Sequence, residues 1–227
     1  VTLLNAANID QQNTNVSNSG FAFNLTNWAG QTFTAGVTGQ LTRVDLDLFC
    51  SGCTGTTPNI TVSIRATAGS PAVPTGPDLA VATIPGFSSG AAVYYAANLG
   101  APLAVTAGTR YAVIMRPVAN PSLGIYAYVV SAANPYLNGQ RVTSANSGGT
   151  WVADTTSGGR DLGFKTYVNT GFAPNGNLTS GLFDANPHTG GTVNWTTLSW
   201  NGPTPAGTTL QFQVAASNSQ YGPFNFV

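Results

Sequence analysis

The sequence has 227 residues, of which 42% are hydrophobic and only 6% are charged, against roughly 25% charged residues in an average soluble domain. Basic and acidic residues balance at a net charge of zero, every acidic residue is Asp, and Lys165 is the single lysine. Such a composition argues against a nucleic-acid partner, whose phosphates need many cations, and against electrostatic binding to a membrane. No run of about 18 apolar residues occurs, so no membrane insertion is predicted.

The start of the chain and its cysteines both indicate secretion. A chain that begins at Val1 rather than at Met is expected of a processed secreted protein or of a cut fragment. Cys50 and Cys53 form a C-x-x-C pair, which as a redox motif would need a βαβ context and as a zinc site would need about four ligands, although His188 is the single histidine. A small structural disulfide formed in an oxidising compartment fits best. We therefore expect an extracellular or cell-surface protein.

Short β-rich runs separated by Gly, Pro, Asn and Ser recur along the chain, and helical periodicity is nearly absent. The predicted strands of the first part are residues 21–25, 31–35, 41–49, 59–67, 78–84, 92–96, 110–116, 124–130, 140–143 and 162–168. Residues 1–19 are unassigned, and 69–77 read as a Pro-rich loop. Strict alternation in 41–49 and 59–67 predicts a hairpin of two long strands, each with one buried face, whose loop carries the cysteines.

Four strand phrases carry a resemblance to a known class of module: QTFTAG at 31–36, LTRVDLDL at 41–48, VTAGTRYAV at 105–113 and DLGFKTY at 161–167. They resemble bacterial extracellular jelly-roll β-sandwich modules, which are similar to carbohydrate-binding sandwiches. The resemblance covers roughly residues 20–168 and implies a fold rather than catalytic residues. The predicted fold class is all-β, with a jelly-roll β-sandwich and its N-terminal extension over residues 1–168.

The remaining residues, 169–227, are predicted to form a smaller, incomplete β-sandwich. Leu198–Gly202 and Val214–Ser219 resemble a β-sandwich repeat of surface proteins. Only about four strands are predicted here, which is few for a self-sufficient sandwich. These strands are residues 177–183, 193–200, 208–216 and 224–227.

An unfinished sheet leaves an unpaired edge that invites a strand from another chain. We expect the apolar N-terminal stretch or the C-terminal strand to complete the sheet of a neighbouring subunit by strand exchange. The predicted subunit-interface residues are Val1, Leu3, Leu4, Ile9, Phe224 and Phe226. A head-to-tail contact of this kind does not close, so it builds a homopolymeric filament.

Charged side chains on the predicted hairpin invite two interpretations. Asp45 and Asp47 share a strand face with Arg43, and Arg65 is expected to lie across the hairpin. A cross-strand charge cluster is favoured, while a paired-carboxylate site or a set of calcium ligands stays open.

Calcium is the one cofactor for which the sequence offers candidate ligands. Asp154 and Asp161 flank a Gly-rich loop with Arg160 and are the candidate calcium ligands. No convincing sequence signal for an enzyme occurs, because His188 stands alone and the few Asp are scattered. We expect no catalytic residues.

Four aromatic residues are the candidate ligand-binding set: Tyr126 and Tyr128 on one strand face, with Tyr136 and Trp151 on nearby loops. If their rings are exposed, they form a platform for polysaccharide; if they are buried, they fill the core. Five Asn residues in N-x-S/T sequons are candidate glycosylation sites, namely Asn15, Asn24, Asn59, Asn177 and Asn194.

The leading hypothesis is a non-enzymatic structural subunit of a secreted or cell-surface filament. The rival hypothesis is a carbohydrate-binding or adhesin module from a larger secreted protein.

Overall fold

The computed structural model describes residues 7–17, 20–171, 181–182, 197, 199 and 210–225. The chain divides into two compact units, Val1–Asn175 and Gly176–Val227. The predicted division into 1–168 and 169–227 stays a prediction, because most of the second unit lies outside the described residues. Across the described part of the chain, no helix is long and apolar enough to span a membrane.

The first unit contains two antiparallel sheets built from strands numbered in chain order. Sheet A consists of β1 (Asn8–Asn13), β2 (Gly20–Ala22), β4 (Gly39–Ser51), β7 (Val93–Val105), β9 (Ile125–Val129) and β12 (Phe164–Asn169). Sheet B consists of β3 (Trp28–Thr34), β5 (Ile60–Ala68), β6 (Val73–Ile84), β8 (Arg110–Pro117), β10 (Arg141–Ser144) and β11 (Val152–Ala153). A 3₁₀ turn at Thr156–Gly158 is the one helical element among the described residues. The all-β prediction is confirmed.

The long strand β4 lies at the centre of sheet A. Along one edge, β4 pairs with β7. Along its other edge, it pairs first with β12 and, farther towards its C-terminal end, with β9. Leu46 faces Phe164 of β12, whereas Leu48 faces Tyr128 of β9. The outer neighbours are β1 beside β12 and β2 beside β9. Sheet B runs in the order β11, β10, β3, β8, β5, β6.

The core lies between the two sheets and follows the predicted alternation. Val44, Leu46 and Leu48 of sheet A are fully buried, and so are their counterparts of sheet B, Ile60 and Ile64. Each strand therefore turns its apolar side chains inward, as its period of two requires. Burying a side chain of this size contributes about 1.5–3 kcal/mol to the free energy of folding.

The predicted hairpin over residues 41–67 is wrong. β4 belongs to sheet A and β5 to sheet B, so residues 52–59 connect the two sheets and the two strands do not pair with each other. Alternation identifies the buried face of a strand but not the strand that pairs with it. The predicted disulfide between Cys50 and Cys53 is present, and it lies where the chain leaves β4.

Three further assignments differ from the prediction. β1 lies within the stretch left unassigned, and β6 begins at Val73, inside the predicted Pro-rich loop. β6 is the edge strand of sheet B, and no strand of that sheet lies on its outer side to accept a hydrogen bond. Such an edge strand tolerates residues without an amide hydrogen, here Pro74 and Pro77. Of the strand predicted at 208–216, the described residues 210–216 have no strand conformation.

Candidate functional site

The outer face of β4 carries the first of three ion clusters. Arg43 donates through Nε and Nη2 to the two oxygens of Asp45, both at 2.6 Å, and its guanidinium lies 4.2 Å from the centroid of the Tyr167 ring. The Tyr167 hydroxyl donates to the same carboxylate at 2.9 Å. The predicted shared face of Arg43 and Asp45 is therefore confirmed, but their ion pair lies within β4 and not across two strands.

The neighbouring carboxylate, Asp47, has a different environment. Its Oδ1 is buried without a hydrogen-bond partner, and Lys165 places its Nζ 4.4 Å from the centroid of the Tyr94 ring beside it. Burial raises the pKa of the Asp47 carboxyl, and the positive charge of Lys165 offsets part of that rise. Because Asp45 and Asp47 are only 4% and 7% exposed, neither is open to a substrate as a paired-carboxylate site would require.

The expected position of Arg65 in that cluster is wrong, because β5 lies in the other sheet. Arg65 donates to Asp78 at 2.6 Å, and Arg116 donates to the same carboxylate at 2.6 Å and to the Ser63 hydroxyl at 2.7 Å. Burial alone would raise the pKa of Asp78, but the hydrogen bonds from Arg65 and Arg116 outweigh it and lower that pKa. This second cluster lies on sheet B.

The third cluster contains a candidate calcium ligand. Asp154 Oδ2 accepts hydrogen bonds from Nε of Arg141 at 2.8 Å and from Nε of Arg160 at 2.9 Å, while its Oδ1 accepts from the Thr156 amide at 2.8 Å. Both guanidiniums stack on Phe21, at 4.4 and 4.8 Å from its ring centroid. A cation at Asp154 would have to displace these donors.

Asp161, the other candidate calcium ligand, lies in a separate buried network. Its side chain is fully buried and accepts hydrogen bonds from Gln31 Nε2 at 2.8 Å and from the Tyr136 amide at 3.0 Å. The Gln31 Oε1 in turn accepts from the Leu162 amide at 2.9 Å. Within the described residues, no group of three His, Cys, Asp or Glu side chains could hold a metal ion.

The predicted aromatic platform is wrong for its three tyrosines. Tyr126, Tyr128 and Tyr136 are 0%, 2% and 7% exposed, so their ring faces pack in the core and cannot stack on a sugar. Trp151 is half-buried, with its ring centroid 6.5 Å from that of Trp28. The hydroxyl groups are satisfied inside the sandwich: Tyr136, for example, donates to Gln11 Oε1 at 2.8 Å.

The N-terminal part of the chain forms one long edge of sheet A. Residues 8–17 and 20–23, the edge segment, pair with β12 through β1 and with β9 through β2. The Ser17 amide donates to the Val130 carbonyl at 2.9 Å, which continues the ladder between the two strands. Ile9, a predicted interface residue, is 46% exposed on this edge. Neither the edge position of β1 nor its pairing was predicted.

The C-terminal part exposes apolar side chains in alternation. Leu210, Phe212 and Val214 are 43%, 49% and 54% exposed, and residues 210–214, the apolar run, lie in no strand of the monomer. The predicted interface residue Phe224 is 36% exposed. The other predicted interface residues lie outside the described residues: Val1, Leu3, Leu4 and Phe226.

Of the three sequons that the structure describes, those at Asn15 and Asn59 have exposed asparagines. Asn24 is half-buried, and its Oδ1 accepts hydrogen bonds from the amides of Thr26 and Asn27, which engages that side chain in a turn. Asn177, Asn194 and His188 lie outside the described residues. Glycosylation stays a prediction.

The described strands define an all-β protein with a sandwich of two antiparallel sheets. The chain matches no known protein-family model, and a search of curated proteins finds no similar sequence.

The pH dependence of stability follows from the buried carboxylates. Burial raises the pKa of Asp161 to about 6, so the folded state favours its protonated form, and its stabilising effect is lost as pH rises through about 6. Burial would also raise the pKa of Asp154, but hydrogen bonds from Thr156 and Arg160 lower it, as the Arg pair lowers that of Asp78. Asp78 and Asp154 therefore stabilise the fold above the ordinary aspartate pKa of 3.8 and lose that effect as pH falls below it.

We therefore expect stability, measured as Tm by circular dichroism across a pH series, to be highest near pH 4 and to fall between about pH 4 and about pH 6. Asp161→Asn should flatten the fall in Tm between about pH 4 and about pH 6, because the folded variant no longer holds a proton that the unfolded chain releases in this range. The readout is the pH slope, which does not depend on the variant's absolute Tm. An unchanged slope in the variant would contradict the assignment to Asp161.

Proposed function

We propose that this protein is a non-enzymatic structural subunit of a secreted or cell-surface filament, assembled when a strand of one copy completes a sheet of the next. The observation that carries the proposal is the apolar run. Leu210 and Val214 expose about half of their side chains to water in a segment that belongs to no strand of the monomer. Alternating apolar residues fit a sheet with one covered face.

Strand addition would bury these side chains and stabilise the assembly. Transfer of an apolar surface from water contributes roughly 25 cal/mol for each Å² that is buried. The added backbone hydrogen bonds give affinity, and alternate side chains entering pockets give specificity. The jelly-roll sandwich would act as the rigid body of each subunit, with its disulfide and ion clusters holding the loops.

Charge supports self-association of this chain. The net charge is zero, and residues 210–225 contain no charged side chain. Copies of the chain therefore approach each other with little electrostatic repulsion, and the apolar run enters a sheet without desolvating a charge. A contact from the C-terminal part of one copy to a different surface of the next is heterologous, so it propagates as a filament.

The test is a matched pair of double variants. Leu210→Asp/Val214→Asp places two charges on the apolar side of the run, whereas Gln211→Asp/Gln213→Asp places the same charges on the alternate side chains. We expect the first variant to lose polymer formation, measured by light scattering and electron microscopy, because the charges would be buried. The second variant should still polymerise. Equal polymerisation by both variants would contradict the proposal.

A carbohydrate-binding or adhesin role is a second candidate, favoured by one groove at the ends of β2, β3 and β10. The groove has a volume of about 210 Å³ and combines the ring of Trp28 with the polar groups of Asn27 and Thr143. Aromatic rings beside amide and hydroxyl groups suit a sugar ring. A glycan array would test it: binding that is lost in Asn27→Ala while Tm is kept would favour this role over the filament.

A further inference from the structure

We infer that the outer edge of β1 is the surface that accepts the apolar run of a neighbouring copy. This inference rests on the proposed filament and names the contact that would build it. The occupant is residues 210–214 of a second copy of this chain, lying beside Asn8–Asn13 as an added strand of sheet A.

The edge is continuous with the core of the fold. β1 pairs with β12, β12 pairs with β4, and β4 is the central strand of sheet A. Farther along, the Phe23 amide donates to the Tyr126 carbonyl at 3.0 Å and holds the end of the edge segment against β9. A strand added outside β1 would therefore attach to a rigid sheet rather than to a loop.

The edge lacks the charges that usually prevent strand addition. In natural proteins, Pro, Lys or other charged residues on an edge strand prevent the pairing of that edge with another chain. The edge segment contains no Lys, Arg or Pro, and its one charged residue, Asp10, turns away. The Asp10 carboxylate accepts hydrogen bonds from the amides of Gly36 at 3.0 Å and Val37 at 3.1 Å. A single register shift between Ile9 and Gln11 is the only protective feature of the β1 ladder.

The other sheet edges suit the apolar run less well. β11 has two residues and β2 has three, so neither matches a run of five. β6 and β7, the last strands of their sheets on the opposite side, lie against each other. β1 has six residues, and its Ile9, paired in register with Tyr167, exposes 46% of its surface. β1 thus combines a matched length, an outer side that pairs with no described strand, and an apolar contact.

Disulfide trapping between two differently tagged single-cysteine variants tests this assignment. One full-length chain carries Ile9→Cys and the other carries Val214→Cys, while the native Cys50 and Cys53 remain bonded to each other. Because each variant supplies one new thiol, a disulfide that joins the two tags can only be intermolecular. The matched control replaces Ile9→Cys by Val81→Cys, a residue that is also 46% exposed but lies on β6.

Under assembly conditions we expect the Ile9–Val214 pair to form at least about tenfold more mixed disulfide than the control pair, because strand addition raises the local thiol concentration. Equal yields from the two pairs, or a higher yield from the control, would overturn the β1 assignment. The filament itself is monitored by electron microscopy of the unmodified chain. If fibres form while Ile9 fails to trap, the acceptor edge is wrong and the proposed function stands; if no fibres form, both fail.

Discussion

Asp154→Ala is expected to destabilise the first unit by about 3–5 kcal/mol, the cost of leaving buried charges without their partner. The Asp154 side chain is 5% exposed, and those of its partners Arg141 and Arg160 are 11% and 21% exposed. Removal of the carboxylate leaves two guanidiniums close together in a poorly hydrated site. The Tyr128 hydroxyl, which accepts from Arg141 at 2.9 Å, cannot neutralise them.

Chemical denaturation followed by tryptophan fluorescence measures this effect, and Asp45→Ala is its matched control. Asp45 also binds an arginine, but the Arg43 side chain is 39% exposed, so water solvates it once the carboxylate is gone. An ion pair with such an exposed partner contributes only about 0–1 kcal/mol. We expect Asp154→Ala to lose clearly more stability than Asp45→Ala. Equal losses would mean that the Asp154 cluster is not buried as described.

Tyr126→Ala is expected to destabilise the same unit by about 3–5 kcal/mol, the range for truncating a large buried ring. Tyr126 is fully buried, with its ring centroid 5.8 Å from that of Phe23 and 5.0 Å from that of Phe87. Truncation leaves a cavity where the two sheets meet. Tyr126→Phe keeps the ring and removes only the hydroxyl that donates to the Pro58 carbonyl, so it should cost about 1–3 kcal/mol.

The pair of Tyr126 variants also decides how a loss of glycan binding is interpreted. Both variants are compared by thermal melts and on the same glycan array. Because the ring lies in the core, any binding lost in Tyr126→Ala should be accompanied by a lower Tm. A Tyr126→Ala protein that keeps the wild-type Tm and loses a glycan would contradict the burial of this ring.

Much of the first unit could be predicted because strand alternation is a local property. Val44, Leu46 and Leu48 identify the buried face of β4 from sequence alone, and the strand is found where it was predicted. Pairing is not local. The physics of alternation is the same whether two strands lie side by side or face each other, so the β4–β5 hairpin was a natural error.

The candidate site was predictable only where its partners are close in sequence. Arg43 and Asp45 are two residues apart on one strand, so their shared face follows from periodicity. Arg65 and Asp78 meet because β5 pairs with β6, and Arg116 reaches them from β8. The strand β1 could not be predicted from the sequence for another reason. Its sequence, NIDQQN, lacks alternation, so its strand conformation depends on β12.

The central claim is that copies of this chain polymerise by exchanging a strand, and cryo-electron microscopy of the assembled, unmodified protein tests it most directly. We expect a periodic fibre with one chain as its repeat, in which residues 210–214 of each copy form a strand beside Asn8–Asn13 of the next. A protein that stays a dispersed monomer at every concentration tested, or fibres in which sheet A gains no strand, would contradict it.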